Sequence, residues 1–295
     1  MELCKMLTAA RELLLGWGAV ELPPHPGVLP SGWLHPDLFS RQTTGEDGQF
    51  FTVQPVIEGG CGCRCRRRGG AVGTLVWWRR PFSAAWMARL PELLAALQPG
   101  GDTPLSAGFE TVGRTAAPGV WGETGCVWDI HWKGCRIGEV RVIAGVAGEQ
   151  CGMPTGIAVL NLESIAAVWS GDPALEKIRW DGAILTSDLA AWRQTGLCLE
   201  SAGEAPLRIA QARWERVRVA SEAALNGKCW LDAYLPLLEG TSLLTELAAG
   251  GPAFEAMRQV CDSGLRTMCR RLIQMMPRRE SAPAAAGKAR EGMLR

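Results

Sequence analysis

The sequence predicts an α+β protein, a mixed region of strands and helices followed by a small helical domain. Three observations carry this. Apolar residues make up 47% of the 295 residues, enough for a sizeable core. The runs 49–57, 71–80 and 126–146 are β-like, the last with apolar residues alternating along it. From about residue 205 to 276 the apolar spacing lengthens to three and four, the period of a helix. The boundaries read from this are 1–200 for the mixed region, 201–276 for the helical domain and 277–295 for a tail rich in Pro, Ala and Arg, expected to be disordered.

Taken in order, Leu3, Met6, Leu7, Ala10, Leu13 and Leu14 mark a first helix over 4–16. "LPPHPGVLPSGW" (22–33) holds four prolines, which remove backbone donors and fix φ, so it is neither helix nor central strand. "QFFTVQPVI" (49–57) and "AVGTLVWWRR" (71–80) are strands joined by the Gly-rich basic segment "EGGCGCRCRRRGG" (58–70). "SAAWMARLPELLAALQ" (83–98) is helical, with Pro91 kinking it or opening a new first turn. "CVWDIHWKGCRIGEVRVIAGV" (126–146) is a hairpin with Lys133-Gly134 at the turn. On it Trp128, Ile130 and Trp132 share one face, as do Val140 and Val142. "GIAVLNL" is a further strand, and "ESIAAVWSG" starts a helix. Three helices follow, over "LRIAQARWERVRVASEAALN", "CWLDAYLPLLEGTSLLTELAA" and "AFEAMRQVCDSGLRTMCRRLIQMM".

The net charge of +1 argues neither for nor against a nucleic-acid partner. The N-terminus lacks the basic start and apolar run of a signal peptide. No run of about 18 apolar residues predicts a membrane span. Eleven cysteines, an odd number without a secretory signal, fit free thiols in a reducing cytoplasm.

The run Cys61-Gly-Cys63-Arg-Cys65 invites zinc. No second pair stands at a plausible spacing, and the neighbouring arginines oppose a cation, so incidental thiols in a loop are the competing reading. Arg64, Arg66, Arg67 and Arg68 form either a solvated basic loop or a phosphate site. Guanidinium matches phosphate oxygens in pairs, and a loop between two strands can be aimed. An RNA-binding loop would need interleaved aromatic residues, which 58–70 lacks. His25, His35 and His131 make no metal or catalytic pattern, and His35, before Pro36, satisfies local backbone. Glu163, the only ionisable residue of "TGIAVLNLESIAAVWSG" (155–171), is either an exposed acid favoured by the positive end of the following helix or part of a site.

The order of these segments resembles a class II aminoacyl-tRNA synthetase core, an antiparallel sheet flanked by helices. More closely, it resembles the alpha subunit of the bacterial two-subunit glycyl-tRNA synthetase, in register over most of the chain. "GAVELPP" and "GWLHPDLFSR" resemble the family's first-motif region, and "VQP" (53–55) follows. "PGVWG" (118–122) is similar to "LGAWG", and "WDIHWKG" to "WEVWLNG". Cys151 and Thr155-Gly156 fall in place without a gap. "LNLESIAAVWSG" then resembles "YGLERLAMYLQG", the third motif, and "LDA" (231–233) lies among similar C-terminal helices. The departures are specific. Ile57 and Glu58 stand where the family carries two arginines after "QP", one of them on the α-phosphate of ATP. Ile157 replaces an acid expected near the glycine amine, and Ser164 replaces the third-motif arginine.

The resemblance implies a cytoplasmic glycine–tRNA ligase that uses ATP with Mg2+, forms glycyl-adenylate and charges tRNA(Gly). It implies an alpha dimer paired with a beta subunit that binds most of the tRNA. The site residues it implies are Arg68 and Glu163 as catalytic, with Gln54, Arg64, Arg66, Arg67 and Arg68 for ATP and its phosphates. Trp121, Thr155 and Gly156 would form the substrate pocket. The alternative is a catalytically inactive paralogue that keeps the fold as a scaffold or regulatory subunit, which the missing arginines favour.

Overall fold

The computed structural model describes residues 3–24, 29–30, 35–57, 71–97, 109–115, 121–147, 149–170, 179–181, 184–185, 204–249 and 251–276. The segment 58–70 and the tail 277–295 lie outside the described residues.

Helix α1 (Leu3–Gly16) buries Leu3, Met6, Ala10 and Leu14, the stripe its spacing predicts. Two short strands, β1 (Val20–Glu21) and β2 (Leu29–Pro30), run parallel to β3 (Gly48–Ile57) at its outer edge. Pro30 is tolerated there because an edge strand does not need every donor. Helix α2 (Pro36–Thr44) opens with proline at its first turn, where no donor is lost. Its N-cap is His35, whose Nδ1 accepts from the Asp37 N–H at 3.2 Å, the local backbone role expected of it.

The strands β3 and β4 (Ala71–Arg80) pair antiparallel over their whole length, Gly48 opposite Arg80 and Ile57 opposite Ala71. Helices α3 (Ala84–Met87) and α4 (Leu90–Ala96) divide the segment 83–98, with Pro91 in the first turn of α4. β6 (Thr124–Trp132) and β7 (Cys135–Val146) form the expected hairpin. Lys133 and Gly134 both take positive φ, 47° and 73°, as a two-residue hairpin turn requires. β8 (Glu149–Asn161) runs straight into α5 (Leu162–Ser170).

β5 (Phe109–Thr115) was not expected. It lies at the sheet edge, paired with β6, and residues 110–113 are exposed. An edge strand with little to bury carries little alternation to read. The eight-stranded sheet has the order β1-β3-β4-β8-β7-β6-β5, with β2 also on β3. A hairpin of β9 (Arg179–Asp181) and β10 (Ile184–Leu185) stands apart from it.

One sheet face is apolar. Phe51, Leu75, Trp77, Ile130, Val140, Ala158 and Leu160 share a core with α1, α3, α4 and α5. The C-terminal helices α6 (Glu204–Asn226), α7 (Trp230–Ala249) and α8 (Glu255–Met275) form a second layer. Its core is continuous with Phe39, Phe50, Trp78, Trp121, Ile143 and Ile157 of the first region. Tyr234 stacks on Trp121 with ring centroids 5.7 Å apart and meets Phe39 at 4.9 Å. The α+β expectation holds: a largely antiparallel sheet flanked by helices, followed by a helical region.

Candidate active site

Side chains alternate across a strand, so each strand of the sheet also presents a face opposite Phe51, Leu75 and Trp77. That face packs in part on the C-terminal helices through Phe50, Trp78, Ile143 and Ile157. It also carries Thr52 and Gln54 of β3, Thr74 of β4, Thr155 and Asn161 of β8 and Glu139 and Arg141 of β7. Register aligns them. Gln54 stands opposite Thr74, and Thr74 opposite Asn161. One step along, Thr52, Val76, Val159, Glu139 and Asp129 form a row across five strands. A further row runs Phe50, Trp78, Ile157 and Arg141. Thr52, Gln54, Thr74, Thr155, Asn161 and Glu139 are all buried. A sheet face holding this many buried polar groups is built for more than packing, because each must be satisfied at a cost an apolar residue avoids. The hydroxyls of Thr52 and Thr155 have no hydrogen-bond partner among the described residues.

The charged part of the face is an ion-pair chain. Arg136 reaches Asp129 through Nε at 2.8 Å and also pairs with Glu139. Glu139 pairs in addition with Arg141. Beyond Arg141 lies Glu123, placed by the turn at Trp121-Gly122. The Ala147 N–H donates to the Trp121 carbonyl at 2.9 Å, and Gly122 takes a φ of 63°, which suits glycine. Glu123 keeps intermediate exposure. Burial pushes its carboxyl above the ordinary value of 4.5, Arg141 pulls it back and Glu139 adds to the rise. The Tyr234 hydroxyl is pushed well above its ordinary range by burial, then by Cys269 and Glu123.

This sets a pH dependence with a definite sign. A carboxyl whose folded pKa is raised contributes stability that is complete below its unfolded value and is lost as pH rises through the folded value. Glu123→Gln is therefore expected to flatten the fall in stability as pH rises above the ordinary carboxylate value of 4.5. Urea unfolding of parent and variant across that window checks it. Parallel curves would assign the dependence to another group.

The residues expected from sequence are placed unequally. Gln54 is fully buried on the polar face, at the end nearest the 58–70 segment. Thr155 is on the same face, opposite Ile143. Gly156 points the other way. A Cβ there would stand 2.7 Å from Phe82 and 2.9 Å from Trp86, so its glycine makes room for aromatic packing. Trp121, at 3% exposure, packs between Phe39 and Tyr234 and presents little surface to a ligand. Ile157, at 1% exposure, belongs to the apolar core with Trp78. Arg64, Arg66, Arg67, Arg68 and Glu58 lie outside the described residues, and Ile57 is the last residue of β3.

Glu163 is 4% exposed, so it is not a solvated helix acid. Its Oε1 accepts from the Gly73 N–H at 2.9 Å, on the face that carries Leu75 and Trp77. That contact ties the first turn of α5 to the backbone of β4. Ser164 is buried too, and its N–H donates to Asn161 Oδ1 at 2.8 Å, which makes Asn161 the N-cap of α5.

Sequence reasoning missed Glu123, Asp129, Arg136, Glu139 and Arg141. The signal was present for two of them. Alternation that puts Val140 and Val142 on one face puts Glu139 and Arg141 on the other. Among the described residues no cluster of three or more His, Cys, Asp or Glu could hold a metal ion. No described helix is long and apolar enough to cross a membrane.

No protein-family model matches the sequence, and neither does any curated protein. Several solved structures are similar. Two are pyrrolysyl-tRNA synthetases of Desulfitobacterium hafniense. One is 12% identical with a TM-score of 0.42, over 62% of this chain and 74% of the other. The second is 13% identical with a TM-score of 0.43, over 62% and 75%. An aspartyl-tRNA synthetase of Entamoeba histolytica is 13% identical with a TM-score of 0.42, over 62% and 57%.

Proposed function

We propose that this chain is a class II-type aminoacyl-tRNA synthetase subunit, a glycine–tRNA ligase alpha subunit working with a beta subunit. The observation that carries the reading is the convergence of three segments that resemble the family. The hairpin β3–β4, the hairpin β6–β7 and the unit β8–α5 are separated in sequence, yet they are adjacent in one sheet and share its polar face.

In this reading Gln54 and the arginines at 64, 66, 67 and 68 bind ATP, with Arg68 closest to the reacting phosphate. A glycine carboxylate oxygen attacks the α-phosphorus, and the bond to the leaving pyrophosphate breaks. The terminal hydroxyl of tRNA(Gly) then attacks the glycyl carbonyl and releases AMP. The chain's part is to orient the reactants and to place positive charge where negative charge grows. Mg2+ would enter with the nucleotide as MgATP and share the charge of its phosphates. Thr155 lines the floor, Gly156 admits the packing beneath it, and Glu163 orders the hairpin. A cytoplasmic alpha dimer with the beta subunit is the assembly proposed.

A second reading has its own support. Ile157 is sealed in an apolar core, and Glu139 is already paired with two arginines of the same face. A face whose charges satisfy one another suits a paralogue that keeps the fold as a scaffold or regulatory subunit. Glycine-dependent exchange of pyrophosphate into ATP, followed by tRNA(Gly) charging with and without a beta subunit, separates the readings. Exchange, with charging only when beta is added, is the expected result. Charging by the chain alone would overturn the need for beta. ATP binding without exchange would establish the scaffold.

A further inference from the structure

We propose that Glu163 is a positioning residue that aligns the stem of the arginine segment by completing the ladder of β4 where β8 stops. The inference rests on the reading that this segment holds phosphate. β4 pairs with β8 from Arg79–Gly156 down to Thr74–Asn161, and there β8 ends because Asn161 caps α5. The next residue of β4 is Gly73. With no strand beside it, its N–H would be left without a ladder partner in a buried place, which costs free energy. Glu163 Oε1 accepts that N–H at 2.9 Å. The carboxylate thus acts as one more strand residue, supplied by the first turn of α5. The carboxylate lies directly over Gly73, since a Cβ there would stand in ordinary contact, 3.5 and 3.7 Å, with its two oxygens.

The position of this contact gives it leverage. Gly73 pairs with Pro55, beside Gln54, and two steps further the pair Ile57–Ala71 closes the stem from which 58–70 departs. Gly73–Pro55 is a non-hydrogen-bonded pair, because Pro55, like Phe51, turns its backbone polar groups to the outer edge of β3, so β3 offers the Gly73 N–H no partner either. The Glu163 contact is on the other side of β4 and holds the same level. The Glu163–Gly73 hydrogen bond therefore links helix α5 to the last pairs of the β3–β4 hairpin.

Two variants separate reach from charge. Glu163→Gln keeps an oxygen acceptor at the same length and removes the charge. Glu163→Asp keeps the charge and is one methylene too short. Hydrogen exchange of the Gly73 amide and the ATP dissociation constant are read on both. Glu163→Gln is expected to stay within about twofold of the parent in both, and Glu163→Asp to exchange faster and bind ATP more weakly by about tenfold. Weak ATP binding by the glutamine variant with Gly73 still protected would overturn the proposal, since charge would then be the property that matters. Unchanged Gly73 exchange in Glu163→Asp would overturn it as well. Should the parent itself fail to bind ATP, the phosphate reading fails and the proposed leverage on the segment fails with it. The exchange measurement would then judge the ladder contact alone.

Discussion

Changing Arg66, Arg67 and Arg68 together to alanine is expected to weaken ATP binding by about a hundredfold or more. A hydrogen bond to a charged group contributes about 1.5–3 kcal/mol, and two such contacts already reach that factor. The three residues lie on a segment of 13 residues, 58–70, held between the last pairs of a ten-residue hairpin. The hairpin stays the same in the variant, so a loss of affinity reports on the side chains. Titration calorimetry at fixed salt measures it. Unfolding by urea, run alongside, should show no change, because the substitutions remove no described core contact. A change in affinity under about twofold would mean that the arginines are a solvated face, and the phosphate site would have to be sought elsewhere on the sheet.

Glu139→Ala carries the largest expected cost in stability. Glu139 has a side chain only 5% exposed and is paired with both Arg136 and Arg141. Removing one partner of a buried pair leaves a charge without compensation, typically at about 3–5 kcal/mol. Arg136 keeps Asp129 at 2.8 Å, so the loss falls mainly on Arg141, whose remaining acidic neighbour is Glu123, a carboxyl that burial shifts toward its protonated form. That asymmetry makes a second measurement informative. Adding Arg141→Ala to Glu139→Ala removes the stranded charge and is expected to restore part of the stability, a coupling a double-mutant cycle reads directly. Urea unfolding of the four proteins at neutral pH is sufficient. A loss below about 0.5 kcal/mol for Glu139→Ala would place the network among exposed ion pairs of small effect.

The same network shows where sequence reading stops. The strands 49–57 and 71–80, the Lys133-Gly134 turn, the divided helix at Pro91 and the three C-terminal helices were all legible. Each follows from local causes: period, turn residues, a proline that cannot donate. His35 was legible for the same reason, since its partner is two residues away. The first half of β8, "EQCGMPTG", was not, because it holds two glycines and a proline and shows no alternation. It is a strand because β7 offers it a ladder, from Val146–Glu149 to Gly138–Leu160.

Glu163 marks the boundary most clearly. From sequence it could be a helix acid in water or an acid of a site, because both place one carboxylate at a strand-to-helix junction. What it does depends on Gly73, ninety residues earlier in the chain. Trp121 and Gly156 are similar cases. A tryptophan expected to line a pocket is enclosed by Phe39 and Tyr234, and a glycine expected in the floor leaves space for Phe82 and Trp86. The sequence by itself determined the α+β class, the order of most elements and the places where chain direction changes, since these are set by neighbours a few residues apart. The tertiary structure alone decided which polar groups meet and which face each one takes. Register between distant strands sets both, and no residue carries that register in its own neighbourhood.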